Sequence, residues 1–188
     1  AAAAANGQEP GDIKVQDVDG NGVITTDDRI IYSQRPDVTF GFNNTFNYKG
    51  FDLSVFLYAR LGQWIAYDYN TTYRINALEN GGNVDYWTPE NPTNAFPRPN
   101  KSKSYTQVTY YSTLKYEDGS FFKIRDITLG YTFKPELLKH LNLSRLRVYA
   151  TAKNFFTFSK IDNYDPEQGG SISFPMTKQL VFGLNVEF

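Results

Sequence analysis

The acidic stretch at residues 17–28 has the residue types and spacing that could bind a metal ion. It reads Asp-Val-Asp-Gly-Asn-Gly-Val-Ile-Thr-Thr-Asp-Asp and fits a twelve-position calcium loop. In that template, oxygen ligands recur at alternate positions and at the last one, and a central glycine allows the sharp turn. The predicted ligands of one structural Ca²⁺ are Asp17, Asp19, Asn21, the Val23 carbonyl, Thr25 (directly or through water) and Asp28.

A second interpretation of the same stretch needs no metal. Asp, Asn and Gly are also the common residues of surface turns, where their carboxylates are simply solvated. Asp28 stands at the closing position where a calcium loop usually has Glu, so its reach is shorter. The full match to the template favours the metal.

The other polar residues do not predict an enzyme or a nucleic-acid-binding protein. The chain has no cysteine and only one histidine, His140, so it offers no thiol nucleophile and little for a hydrolase triad. Its acidic pairs Glu117–Asp118 and Asp165/Glu167 fall in turn-like sequence. The formal net charge is −1, without the basic surplus that nucleic acid requires. We therefore predict no catalytic residues.

The elements that must position these residues are strands, and the clearest is at the end of the chain. In residues 178–188, Leu180, Phe182, Leu184, Val186 and Phe188 alternate with mostly polar residues. A two-residue period places alternate side chains on opposite faces of a strand. One face is apolar enough for lipid and the other polar enough for water. A final aromatic residue suits the ring of aromatic side chains at a membrane interface.

The same alternation recurs in four earlier segments. In Phe121–Phe133 the apolar phase slips at Arg125-Asp126, which predicts a β-bulge. Five strands of about ten residues each are long enough to cross a bilayer at a tilt, whereas strands of soluble sheets are usually about half as long. The other three segments are Val38–Lys49, Phe51–Leu61 and Arg145–Phe158.

The predicted fold class is all-β: the C-terminal strands of a large antiparallel transmembrane β-barrel with long extracellular loops. Residues 1–9 are interpreted as an unassigned or artefactual leader and 10–37 as an extracellular loop that carries the calcium-type motif. Residues 38–188 form the last five barrel strands, with extracellular loops at 62–120 and 159–177. Five strands leave two open edges, which is costly in lipid, so the remainder of the same barrel is a required partner.

Several motifs together resemble the last part of SusC/RagA-type TonB-dependent transporters. They occur in the expected order and cover nearly the whole chain after residue 9. These motifs are the segments 11–24, 40–42, 48–54, 121–133, 146–158 and 164–167.

The resemblance implies a 22-stranded outer-membrane barrel plugged by an N-terminal domain. It implies import of an oligosaccharide or a peptide with energy delivered by TonB, and a SusD-like surface lipoprotein as partner. The plug and the TonB-contacting segment are not in this sequence, so the resemblance assigns no transport role to individual residues. The expected location is the cell outer membrane, in contact with lipid.

One alternative from a different class is a secreted β-sandwich that binds carbohydrate and carries a dockerin-like calcium loop. It would explain the aromatic residues of the segment 62–120 and the acidic motif. It does not explain the strand length or the apolar faces that repeat in five strands.

Overall fold

Seven strands form two sheets, of which the five-stranded one is antiparallel, in the computed structural model, which describes residues 9–69, 85–98 and 113–188. The five long strands make one sheet in the order β1-β2-β5-β6-β7, and β3 and β4 make a two-stranded sheet. In chain order the strands are β1 (Val38–Tyr48), β2 (Phe51–Leu61), β3 (Trp64–Ala66), β4 (Tyr116–Asp118), β5 (Phe121–Thr132), β6 (Arg145–Ser159) and β7 (Gln179–Glu187).

Helical structure in the described residues is short, and it includes Asp68 and Tyr69 at the end of one described range. One short α-helix, α1 (Pro135–Leu138), begins with proline at its first position, where the missing N–H costs nothing. The 3-10 helices are Thr26–Asp28, Thr113–Lys115, Lys139–Leu141 and Pro166–Gln168.

The five long strands lie where the alternating pattern predicts them. Each predicted segment contains one strand, with ends that differ by at most one residue. Strand β7 ends at Glu187, so Phe188 lies just outside it. Strands β3 and β4 were missed, because three residues are too few to show a period of two.

The strand register sorts side chains into an apolar and a polar face. Leu53 of β2 lies opposite Leu129 of β5, and Val148 of β6 lies opposite Leu184 of β7. In the same register Asp52 lies opposite Gly130. The apolar face thus runs without interruption across neighbouring strands, because each antiparallel pair keeps like faces together.

The predicted β-bulge is confirmed at Arg125. Ile124 pairs with Leu57 and Phe156, and Asp126 pairs with Phe56 and Lys153, so the ladder passes over Arg125 on both sides. Asn154 on β6 has a φ of 58°, which marks the irregularity on that strand as well. An extra residue reverses the parity of the strand, and this accounts for the phase slip in the sequence.

The first hairpin closes at the predicted Lys49-Gly50 turn. Both residues have positive φ, at 49° and 89°, as a two-residue turn between twisted strands requires. The Gly50 carbonyl also accepts a hydrogen bond from the Thr132 N–H at 2.7 Å, which ties the turn to β5.

The apolar face of the five-stranded sheet is largely exposed. Leu184 is 67% exposed and Phe182 is 73% exposed, although both are large apolar residues. On the polar face, by contrast, Phe121 and Lys123 are almost fully buried. The packed side of this sheet is therefore its polar side, the reverse of what a water-soluble sheet shows.

The chain divides into two compact units. One contains the described residues within Ala1–Gln34, Trp64–Glu117 and Gly169–Ser173. The other contains Arg35–Gln63, Asp118–Gln168 and Phe174–Phe188, and so includes all five long strands.

Candidate functional site

The acidic loop brings three carboxylates together. One oxygen from each of Asp17, Asp19 and Asp28 lies within 4.8 Å of the others. Like charges this close repel one another, and the repulsion falls when a cation or several N–H groups lie among them. The local hydrogen bonds show how the chain holds this arrangement.

Asp17 shapes the first half of the loop. Its two carboxylate oxygens accept hydrogen bonds from the N–H groups of Gly20 and Gly22, each at 2.7 Å. Both glycines have positive φ, near 75° and 84°, and that conformation turns their N–H groups inward. Glycine at these two positions therefore lets the loop wrap around the Asp17 side chain.

Asp28 closes the loop from the other end. Its carboxylate accepts hydrogen bonds from the N–H groups of Val18 and Thr25, both at 2.7 Å. The Thr25 hydroxyl in turn accepts a hydrogen bond from the Asp27 N–H, so that Thr25 and Asp28 cap the 3-10 helix that follows. The N–H groups of Thr25 and then Val18 hold the pKa of Asp28 below its usual value of 3.8.

The other predicted ligands occupy supporting positions in this structure. The Asn21 amide donates to Asp19 at 2.8 Å, and the Asn21 oxygen accepts the Val23 N–H at 2.8 Å. Thr25 contacts Asp28 through its N–H. The three carboxylates are thus brought together directly, while Asn21, Val23 and Thr25 connect to them through hydrogen bonds.

A cleft of about 660 Å³ lies beside the acidic loop. Its walls include Ile13, Ile24 and Ile30 together with Asp28. Tyr32 and Tyr116 also line it, and their rings stack at 5.2 Å. Because this lining combines apolar, aromatic and charged side chains, it suits a ligand with both apolar and polar parts.

The aromatic residues of the segment 62–120 form packing contacts where the structure describes them. Trp64 packs against Tyr32 at 4.5 Å between ring centroids. A Cβ on Gly11 would lie 2.3 Å from the ring of Trp87, so only glycine fits beneath that indole. These contacts agree with ring packing as the first role of these aromatics; Tyr73, Tyr105, Tyr110 and Tyr111 lie outside the described residues.

The polar face of the five-stranded sheet holds an ion pair that spans β5. The Arg147 guanidinium binds the Asp52 carboxylate through two hydrogen bonds of 2.8 and 2.5 Å. Gly130 lies between them, and a Cβ there would sit 2.5 Å from both partners. Glycine on the central strand therefore leaves the space in which β2 and β6 are joined by a bidentate pair.

An aromatic ring continues this arrangement towards β7. The Arg147 guanidinium lies 5.0 Å from the centroid of the Tyr149 ring. The ring covers Gly183, whose Cβ, if present, would lie 2.2 Å from it. Gly183 belongs to the polar phase of the β7 alternation, and its missing side chain leaves room for this tyrosine.

A second charged cluster on the same face surrounds Lys123. The Lys123 ammonium contacts Asp165 at 2.6 Å and Glu167 at 2.8 Å, and its side chain has no exposed surface. Glu167 also pairs with Arg125 at 3.1 Å. From the sequence, Asp165 and Glu167 were assigned only to turns. Lys123 was the signal in the sequence that could have revealed this cluster. A lysine that is buried among the aromatic residues of a strand needs carboxylates nearby.

No helix among the described residues is both long enough and apolar enough to span a membrane.

The chain is similar in sequence to large bacterial receptors. It is 31% identical to TonB-dependent receptor P3 of Formosa agariphila, an alignment that covers 96% of this chain and 19% of that protein. It is also 31% identical to the TonB-dependent receptor SusC of Bacteroides thetaiotaomicron, over 92% of this chain and 17% of SusC. The chain thus spans about a fifth of the length of these relatives. No family model matches it.

The fold is similar to part of a solved transporter. A structure of the RagAB peptide importer in the closed-closed state matches 92% of this chain and 20% of its own, with a TM-score of 0.68 and 27% identity. The open-open state of the same importer matches 89% of this chain and 19% of its own, with a TM-score of 0.66 and 26% identity.

The hydrogen bonds of Asp28 predict an effect that does not depend on any metal. With a chelator present, Asp28→Asn should speed proteolysis within residues 17–28 about two- to tenfold, since one of its two acceptor oxygens is lost. Because its pKa is lowered, this contribution is present above pH 3.8 and is lost as the pH falls through the lowered value. Asp27→Asn, at the exposed neighbouring position, is the matched control. Equal cleavage rates would contradict the assignment.

Proposed function

We propose that the chain is the C-terminal barrel segment of an outer-membrane active transporter. It is similar along nearly its whole length to TonB-dependent receptors of the SusC type. The resemblance predicted from the sequence is confirmed, and so is the antiparallel all-β fold. The relatives that identify it are receptors rather than enzymes, in line with the absence of a catalytic constellation in the sequence.

The exposed apolar face of the sheet is the observation that carries the proposal. Large apolar side chains on all five strands lie in register on one face and remain accessible, including Phe46, Leu129, Phe158 and Leu184. A monomer in water rarely leaves so continuous an apolar surface uncovered. In a barrel wall the same face contacts lipid, and the partly exposed Asp52 and Arg147 on the other face line a polar lumen.

The open edges of the sheet support the same proposal. In the described residues β1 pairs only with β2, and β7 pairs only with β6. The outer edges therefore present backbone N–H and C=O groups that need partners, above all in lipid. The remainder of the barrel supplies these partners on both sides. The fold disfavours the sandwich alternative, since a sandwich would cover the apolar face with a second sheet.

The relatives support a proposal for the transported substrate and for the partners. The similar proteins include the TonB-dependent receptor SusC and the RagAB importer, which imports peptides. We assign to the complete protein the import of an oligosaccharide or a peptide, with energy from TonB and a SusD-like surface lipoprotein at the extracellular side. The segments 62–120 and 159–177 are then extracellular loops. The outer membrane is the location.

We further propose that the acidic loop binds one structural Ca²⁺. The three converging carboxylates are supported by a turn that glycines and N–H groups already define, and hard oxygen ligands are what Ca²⁺ prefers. Asp17, Asp19 and Asp28 would hold the ion directly; Asn21, the Val23 carbonyl and Thr25 complete the predicted set. The ion would stabilise an extracellular loop and would take no part in transport itself.

The assignment of the two faces predicts a difference between neighbouring positions. Leu184→Arg should lower the stability of the assembled barrel by about 2–4 kcal/mol, because it places a charge near the lipid midplane. Asn185→Arg is the control; it lies opposite Arg147, whose charge Asp52 already balances. The readout is heat-modifiable gel migration of the full-length receptor extracted from membranes. Equal tolerance of both substitutions would contradict the assigned faces.

The predicted partner can be tested by purification from the native membrane. The full-length receptor in mild detergent should retain a surface lipoprotein, and mass spectrometry should identify it together with any bound oligosaccharide or peptide. A receptor that is recovered from the outer membrane alone, under conditions in which its barrel stays folded, would count against the lipoprotein.

The calcium site predicts protection that depends on one carboxylate. Calcium should slow proteolysis within residues 17–28 of the full-length receptor relative to EGTA, because the ion relieves repulsion among the three aspartates. Asp19→Ala should abolish the calcium effect, while Asp27→Ala should keep it, and neither should change the heat-modifiability of the barrel. A wild-type loop that is cleaved equally with calcium and with EGTA would favour the solvated turn.

A further inference from the structure

The connection after β6 folds back over the polar face of the sheet. Ser159 pairs with Phe121 at the end of the ladder, yet Asp165 and Glu167 contact Lys123, and Glu167 also contacts Arg125. Lys123 and Arg125 lie two and four residues further along β5 than Phe121. The acidic side chains of the connection therefore meet residues within β5 rather than at its end.

We call the returning segment, residues 160–168, the strap. Two of its side chains are buried. Pro166 is almost fully buried and Ile161 is 8% exposed. Within the strap, the Asp165 carboxylate accepts the Glu167 N–H at 3.0 Å, and the Gln168 N–H donates to the Asp165 carbonyl at 3.2 Å. These bonds give the two acidic side chains fixed positions relative to each other.

The charges beneath the strap balance those that it carries. Lys123 and Arg125 supply two positive charges from β5, and Asp165 and Glu167 supply two negative charges from the strap. The Thr157 hydroxyl adds a longer contact to Asp165 at 3.4 Å. Since the Lys123 side chain has no exposed surface, its ammonium relies on these carboxylates for the interactions that water would otherwise provide.

We propose that Lys123 is a positioning residue that latches the strap onto the polar face of the sheet and makes it a fixed part of the lumen wall. The proposal rests on the proposed function, in which the polar face lines the lumen. The strap, which is the first part of the segment 159–177, then narrows the path of the solute from inside the barrel.

Hydrogen exchange of the full-length receptor tests the latch. Lys123→Met keeps the length of the side chain but removes its charge, and leaves two carboxylates close together without the buried cation. Amide exchange in the strap should rise by about a hundredfold or more, as expected when one member of a buried ion pair is removed. Lys153→Met is the matched control, since Lys153 faces the same side but forms only a loose, half-exposed pair with Asp126 at 3.8 Å.

A second variant keeps the test decisive if Lys123→Met does not assemble. Asp165→Asn changes the strap side of the pair and leaves the sheet intact, and it should also raise exchange in the strap, by a smaller factor. The latch is overturned if strap exchange stays at the wild-type level in an assembled variant, or if both variants fail to assemble. Heat-modifiable migration of the wild-type receptor reports separately on the proposed barrel, so failure of one proposal is distinguishable from failure of the other.

Discussion

The unbroken hydrogen-bond ladder from β1 to β7 is the interaction on which the rest of this structure depends. It fixes the register, and the register decides the face of every side chain because the period of a strand is two. A shift of one residue in any pair would turn charged groups such as Asp52 and Arg147 towards the apolar side. The single place where the parity changes, the bulge at Arg125, keeps both faces consistent on either side of it.

The polar face shows how charged residues are accommodated once the register is set. Asp52 and Arg147 meet across β5 only because Gly130 leaves room between them. Tyr149 fills the space over Gly183 in the same manner. Such partly exposed pairs are individually modest contributors to stability, and they mainly specify which strands neighbour each other. The buried Lys123 differs, because its carboxylate partners come from a connection rather than from a strand.

The acidic loop differs from the sheet, because hydrogen bonds within residues 17–28 define its conformation. Asp17 binds N–H groups three and five residues ahead, and Asp28 binds back to Val18 and Thr25. Interactions of this range depend on residue type and spacing rather than on the fold around them. The same locality made the loop recognisable as a motif, and it lets three carboxylates converge in the structure.

Much of the fold was determined by the sequence alone, because a period of two and the strand lengths are properties of the chain itself. The five long strands, the Lys49-Gly50 turn and the bulge at Arg125 were predicted in this way, whereas the family resemblance rested on separate motifs in the sequence. The sequence also predicted that Asp17, Asp19 and Asp28 converge, because their spacing matches a calcium loop. Tertiary structure alone decided that Asp165 and Glu167 would hold Lys123, and that Gly130 and Gly183 would make room for neighbouring side chains. Those contacts join residues far apart in the chain, and no local pattern encodes which distant side chain will occupy a given space.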